Sequence, residues 1–174
     1  MRASLAWLVE LLPDGAGPVL DIGCGPGHLA GHLHAQGIEV LGVDLSPAMI
    51  EIAHRAYPGP RFEVGSLTDL QLADRSVRGV LAFYSTIHVP DPVMPTVASE
   101  LHRVFCPGGI ALIGFHLGEG THHKTEGYGG HPMNVFVHRR SLDRMSAWLR
   151  DAGFTIEAQI LTEPDGDQPG VVVG

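Results

Sequence analysis

Apolar residues recur along this chain in two rhythms, and each stretch of either rhythm predicts an element. Leu5, Leu8, Val9 and Leu12 fall at the three-to-four-residue spacing of one helix face, which predicts an amphipathic helix over 2–12, closed by Pro13-Asp14-Gly15. Val19, Leu20 and Ile22 then form a short apolar run that suits a buried strand. Gly23, Gly25 and Gly27 end it in a tight turn, and Leu29 and Leu33 open a helix that Gly37 closes. Ile38, Val40, Leu41 and Val43 make a second strand with Asp44 at its end. Ser46 is a good N-cap and Pro47 a good first residue for the following helix, whose expected buried face is Met49, Ile52, Ala53 and Ala56.

The same alternation continues. Phe62 and Val64 read as a third strand, Val77 with Val80 to Phe83 as a fourth, and Ile110 to Phe115 as a fifth, entered through the turn Cys106-Pro107-Gly108-Gly109. Between the last two, Asp91 and Pro92 look like the cap and first residue of a helix with Met94, Val97, Leu101 and Val104 inward; Pro95 is expected to strain its first turn. Ser141 caps a helix striped by Leu142, Met145, Leu149 and Ala152, and Gly153 ends it. Phe154, Ile156, Ala158 and Ile160 alternate with polar residues as in a half-buried strand, and Val171 to Val173 are all that is left for a last one. Repeated strand–helix units predict an α/β fold: one doubly wound, mostly parallel sheet with helices on both faces and an incomplete final strand.

Length and charge narrow this. At 174 residues the chain fits one domain over 1–174. The formal charge is −8, from 19 acidic and 11 basic residues, with no run of Lys or Arg, which argues against nucleic acid and anionic membrane as partners. Two cysteines without CxxC spacing fit a reducing cytosol. No long apolar span or signal-peptide order is present, so a soluble cytoplasmic protein is expected.

The glycine turn is the candidate ligand site. Glycines there let the backbone approach a ligand closely, and the helix start offers N–H groups to its negative end. A P-loop would need Gly-Lys-Ser/Thr, and Gly27 is followed by His28 and Leu29. A dinucleotide fingerprint would want Gly or Ala where His28 stands, which weakens that reading without removing it. Asp44, at the carboxyl end of the second strand, can accept both hydroxyls of a ribose.

Asp21-Ile22-Gly23-Cys24-Gly25-Pro26-Gly27, with Asp44 one strand on, closely resembles motif I of the class I S-adenosylmethionine-dependent methyltransferases, in their UbiE-like, type 11 small-molecule branch. The resemblance implies a Rossmann-like fold and transfer of a methyl group to a small-molecule O, N or C acceptor, leaving S-adenosylhomocysteine. It implies that Gly23, Gly25 and Gly27 shape the methionine end of the cofactor site, with Asp21 orienting the ammonium and Asp44 holding the ribose. Cys24, Leu45, Met49 and Phe83 would line the site, and Ser66, where many members carry an acid, or the Leu67 backbone would meet the adenine. His88 stands where related enzymes often carry histidine. Members usually have a longer N-terminal covering segment, so helix 2–12 is expected to be a short lid, aided by another part of the chain or by a second subunit in a homodimer.

Residues 116–136, HLGEGTHHKTEGYGGHPMNVF, interrupt the rhythm with a glycine- and histidine-rich insert at the end of the fifth strand. A loop this long is usually functional or mobile, and from that strand end it can reach over the crevice. Tyr84, Tyr128 and His131 are the candidate acceptor contacts, and His88 and His116 the candidate bases. His122 with His123 and His131 gives enough donors for a metal in principle. Adjacent histidines in a glycine-rich loop do not fix the geometry, however, no HExxH or paired CxxC accompanies them, and no metal site is assigned. Two alternatives stay open: a domain that binds S-adenosylmethionine or S-adenosylhomocysteine without turnover, and a nicotinamide-dependent oxidoreductase.

Overall fold

All four residues of β1 (Val19–Ile22) are buried, as a central parallel strand covered on both faces must be. Parallel to it on one side lie β2 (Val40–Asp44) and then β3 (Arg61–Val64); on the other lie β4 (Val77–Phe83) and then β5 (Phe105–His116). The structure is a computed structural model that describes residues 2–15, 17–126, 132–162 and 170–173. A separate antiparallel hairpin, β6 (Thr121–Glu126) with β7 (Pro132–His138), follows the central strands. With β8 (Gln159–Thr162) and β9 (Gly170–Val173), the sheet order is β3-β2-β1-β4-β5-β9-β8. Among the described residues no helix is long and apolar enough to cross a membrane.

The period of two along each strand divides the core. Val19, Leu81 and Leu112 point to one face and pack with Leu5 and Leu8 of α1 (Arg2–Leu11), Leu33 of α2 (His28–His34), and Ile50 and Ala53 of α3 (Pro47–Ala56). Leu20, Ile22, Val80, Ala82 and Ile113 point to the other, against Val97 and Leu101 of α4 (Met94–Val104) and Met145 and Leu149 of α5 (Leu142–Asp151). The strand order reverses between β1 and β4, and the carboxyl ends of those strands flank the crevice where open α/β sheets bind ligands.

Several expectations are corrected. The last strand is short but not deficient: β9 pairs four residues with β5 and four with β8, both antiparallel, so the sheet closes with seven strands. β8 starts at Gln159, and the alternating Phe154 and Ile156 lie in the preceding connection, packed against the core without sheet pairing. Asp91–Val93 forms a separate 3-10 turn, and α4 begins at Met94, which puts Pro95 in the first turn, where a missing N–H costs nothing. The buried residues of α3 are Ile50 and Ala53, one turn apart, while Met49 and Ile52 are exposed. The described residues of the insert pair as a hairpin and not a loop: β6 is exposed throughout, and Val137, near the end of β7, is buried in the core.

Candidate active site

The turn after β1 is held against β2 by its own backbone. Gly23 and Cys24 both donate their N–H to the Val43 carbonyl, at 2.7 and 3.1 Å. All three turn glycines have positive φ, and their surroundings differ. A Cβ on Gly27 would meet Phe62 and Ala53, and one on Gly23 would meet Ser85, whereas one on Gly25 would meet nothing within 4 Å. Gly25 is therefore the glycine that faces open space at the crevice.

Asp44 ties the turn to the next helix. One carboxylate oxygen accepts the Gly25 N–H at 2.8 Å and the other the Ser46 N–H at 2.9 Å. A carboxylate oxygen has room for a further donor, so Asp44 can still accept ligand hydroxyls. Asp21 lies deeper. It shares a strand face with Val19, is 2% exposed, and accepts the Ala30 N–H at 3.1 Å. Burial pushes its carboxyl up to about 7; the Ala30 hydrogen bond works against this and the Asp44 charge adds to it. Cys24 is also buried, and its thiol is pushed up to about 12 by burial first and then by the charges of Asp21 and Asp44.

Beside Asp44, apolar side chains stand in the open: Leu45 is 69% and Met49 38% exposed. Large exposed apolar groups at a strand end suit a flat apolar ligand. Ser66 beyond β3 bonds the Thr68 hydroxyl at 2.8 Å and accepts the Thr68 N–H at 3.2 Å, and Leu67 is half-buried against the core.

The facing wall is built at the ends of β4 and β5. Phe83 is half-buried and packs edge-on against Tyr84, whose φ is 58°, a left-handed backbone that side chains rarely adopt. The Tyr84 ring stacks on His116, centroids 4.8 Å apart at 30°. The Nδ1 of His116 is buried without a hydrogen-bond partner, as are the hydroxyls of Ser85 and Thr86. Burial holds the His116 imidazole below its ordinary range, with Arg139, Lys124 and His88 adding to the effect. His88 lies on the surface, in a 3-10 turn (Thr86–His88), and its Nδ1 donates to the Phe136 carbonyl of β7 at 2.9 Å. A carbonyl only accepts, so in the neutral ring Nδ1 carries the proton and Nε2 stays free to take one.

The hairpin is anchored by a residue that sequence reasoning missed. Arg140 has a fully buried side chain; it donates to Thr86 O at 2.9 Å and to Val89 O, pairs with Asp91 at 2.9 Å, and lies over the Trp148 ring. Asp91, expected as a helix cap, is thus an ion-pair partner, shared with Arg144 at 3.1 Å. The signal for this was slight: two consecutive arginines immediately before a helix cap. His123 bonds Asn134 and stacks on Phe136. Among the described residues no three His, Cys, Asp or Glu side chains are grouped to hold a metal. Tyr128 and His131 lie outside the described residues. A cavity of about 900 Å³ opens at the amino end of β5, lined by Trp7, Phe105, Phe154 and Ile156 among others, and contains none of the candidate site residues.

Comparison with known proteins gives this geometry its context. Residues 19–109, the span from β1 into β5, match the model of a methyltransferase domain family. An uncharacterized methyltransferase of Mycobacterium sp. (strain JLS) is 35% identical over 126 residues, 72% of this chain and 46% of that protein. A demethylmenaquinone methyltransferase of Chlorobaculum parvum is 36% identical over 96 residues, 55% of this chain and 39% of that protein. The chain thus matches less than half the length of these curated relatives. Among solved structures, a SAM-dependent methyltransferase from Methanosarcina mazei superposes with a TM-score of 0.84 at 19% identity, covering 95% of this chain and 94% of that one.

Proposed function

This chain belongs to the class I S-adenosylmethionine-dependent methyltransferase family, and we propose that it transfers a methyl group from that cofactor to a small-molecule O, N or C acceptor. The observation that carries the reading is the meeting of Gly25 and Asp44: a glycine facing open space, hydrogen-bonded to a carboxylate that still has acceptor capacity. The residues present fit the cofactor. Gly23, Cys24, Gly25 and Gly27 would receive its amino-acid end, Asp21 would supply negative charge beneath its ammonium, and Asp44 would hold the ribose. Leu45, Met49, Ser66 and Leu67 would surround the adenine, with Phe83 closing the β4 side. When bound, the cofactor supplies a methyl carbon already activated by positive sulfur.

What the chain then contributes is alignment, exclusion of water and a place for a proton. Tyr84 and His116 would form the acceptor wall, and the hairpin would cover it. His88 Nε2 is free to accept a proton from a hydroxyl or protonated nitrogen, and His116, kept neutral, is the second candidate base. The named relative acts on demethylmenaquinone, which supports a small organic acceptor here without identifying it. A cytoplasmic location, and a homodimer as the source of further cover, belong to the same reading.

Calorimetry with S-adenosylhomocysteine, NAD as competitor, and a methyl-transfer screen across phenol, amine and carbon-acid acceptors test it. Tight binding of the homocysteine nucleoside that NAD does not displace, together with product from one acceptor class, is the expected result. Binding with no product from any class would leave a cofactor-binding domain without turnover. Affinity for NAD instead would overturn the family's cofactor for this chain.

A further inference from the structure

We infer that Arg140 is the positioning residue that presents His88 to the acceptor and couples that presentation to the seating of the hairpin. The inference rests on the methyl-transfer reading for what His88 would do. Its structural ground is independent of that reading.

Arg140 joins the two candidate bases. Its backbone N–H donates to the His116 carbonyl at 3.0 Å, and its own carbonyl accepts the Gly118 N–H at 3.1 Å, so the main chain is fixed to the end of β5. Its guanidinium reaches the other way and grips the turn that carries His88 on both sides: Thr86 O before it, Val89 O and the Asp91 carboxylate after it. A planar fork with several fixed donors can satisfy three acceptors at once; a lysine ammonium on a flexible stem cannot reproduce that geometry. Trp148 covers the guanidinium from α5, 5.6 Å to the ring centroid, and excludes water from it.

A buried guanidinium is expensive unless its donors are used, so this one tolerates the 86–91 turn in one place only. The second tether on His88 comes from the same hairpin, the Phe136 carbonyl on Nδ1. That bond sets the tautomer and aims Nε2 outward, as an orienting group does for a base. Arg140 and Phe136 lie four residues apart at the foot of the hairpin. A hairpin that lifts away would release the tautomer-setting carbonyl and loosen the clamp together, so His88 is competent only when the hairpin is down.

The test is nitrogen-15 NMR of the histidine side chains in the full chain saturated with S-adenosylhomocysteine, in wild type, Arg140→Lys and Phe136→Ala. In the wild type, His88 should be held in the Nδ1–H tautomer. Arg140→Lys should let it relax toward the mixture of a free imidazole, while the affinity for S-adenosylhomocysteine stays within about threefold, since the clamp lies outside the cofactor crevice. Phe136→Ala keeps the backbone carbonyl and should leave the tautomer as in wild type. A wild-type His88 without the Nδ1–H tautomer overturns the proposal, whether or not the lysine variant folds. So does a lysine variant whose His88 is unchanged. Failure of S-adenosylhomocysteine to bind wild type would strike the cofactor reading instead, with the tautomer still measurable in the free chain.

Discussion

The backbone N–H of Gly25 and the carboxylate of Asp44 meet at 2.8 Å, joining the turn after β1 to the end of the neighbouring strand β2. Each would be an unremarkable feature of an α/β sheet alone. Together they place a chain reversal without a side chain beside a fixed negative charge, and the charge orders the turn before any ligand arrives.

Asp44→Ala removes two charge-assisted acceptors and the ribose contact, and should weaken S-adenosylhomocysteine binding by about 10- to 100-fold in calorimetry. Asp44→Asn keeps an acceptor and should lose less. Unchanged affinity in the alanine variant would take Asp44 out of the site.

Gly25 and Gly27 should separate binding from folding. A methyl at Gly27 would press on Phe62 and Ala53, so Gly27→Ala should lower stability in urea by on the order of 2 kcal/mol. A methyl at Gly25 meets nothing, so Gly25→Ala should cost only its positive φ, about 1 kcal/mol, yet impede the cofactor. Equal behaviour of the two variants in both assays would contradict this division.

Asp21 should give the fold an unusual pH dependence. Its carboxyl is pushed up to about 7 in the folded chain, against 3.8 when free, so between those values the folded state holds a proton the unfolded state has lost. Stability from this group is therefore full below pH ~4, falls as pH rises through ~7, and is flat above, a change of roughly 3–5 kcal/mol. Urea midpoints at pH 5 and pH 8 should differ in the wild type, and Asp21→Asn should remove most of that difference. A cationic ammonium above Asp21 favours its ionised form, so cofactor binding near pH 7 should release a proton, seen as a buffer-dependent binding enthalpy.

His116 is held neutral by burial, and then by the neighbouring cations Arg139, Lys124 and His88. Replacing Arg139 or Lys124 by Ala should therefore move its NMR titration toward higher pH. If His116 is the base in turnover, the acid limb of kcat should follow it; a limb that stays in place leaves the role to His88.

The central strands were legible in residues 19–115 because apolar runs mark each one, although Cys106-Pro107-Gly108-Gly109, expected as the turn before the fifth strand, falls inside β5 where its register with β4 shifts. Asp44 and the turn glycines were legible for the same reason, standing at ends that the pattern itself marks. The hairpin was not: Thr121–Glu126 is exposed throughout, so β6 carries no apolar period to betray a strand. Met49 was given both a core face and a cofactor-lining place, because apolarity on a helix cannot distinguish a face that meets the sheet from one that meets a ligand. Arg140 escaped because its partners are two carbonyls, which leave no trace in side-chain chemistry, and a carboxylate 49 residues away.

Because β9 threads between β5 and β8, the sheet cannot be finished in the order in which the ribosome makes it. Until Gly170–Val173 has emerged, β5 and β8 each hold an unsatisfied row of amides and carbonyls toward an empty slot. β8 is made only just before β9, but β5 is complete from His116 onward, so the nascent chain carries that one sticky edge through the synthesis of the hairpin and α5, and chaperone dependence should centre on that interval.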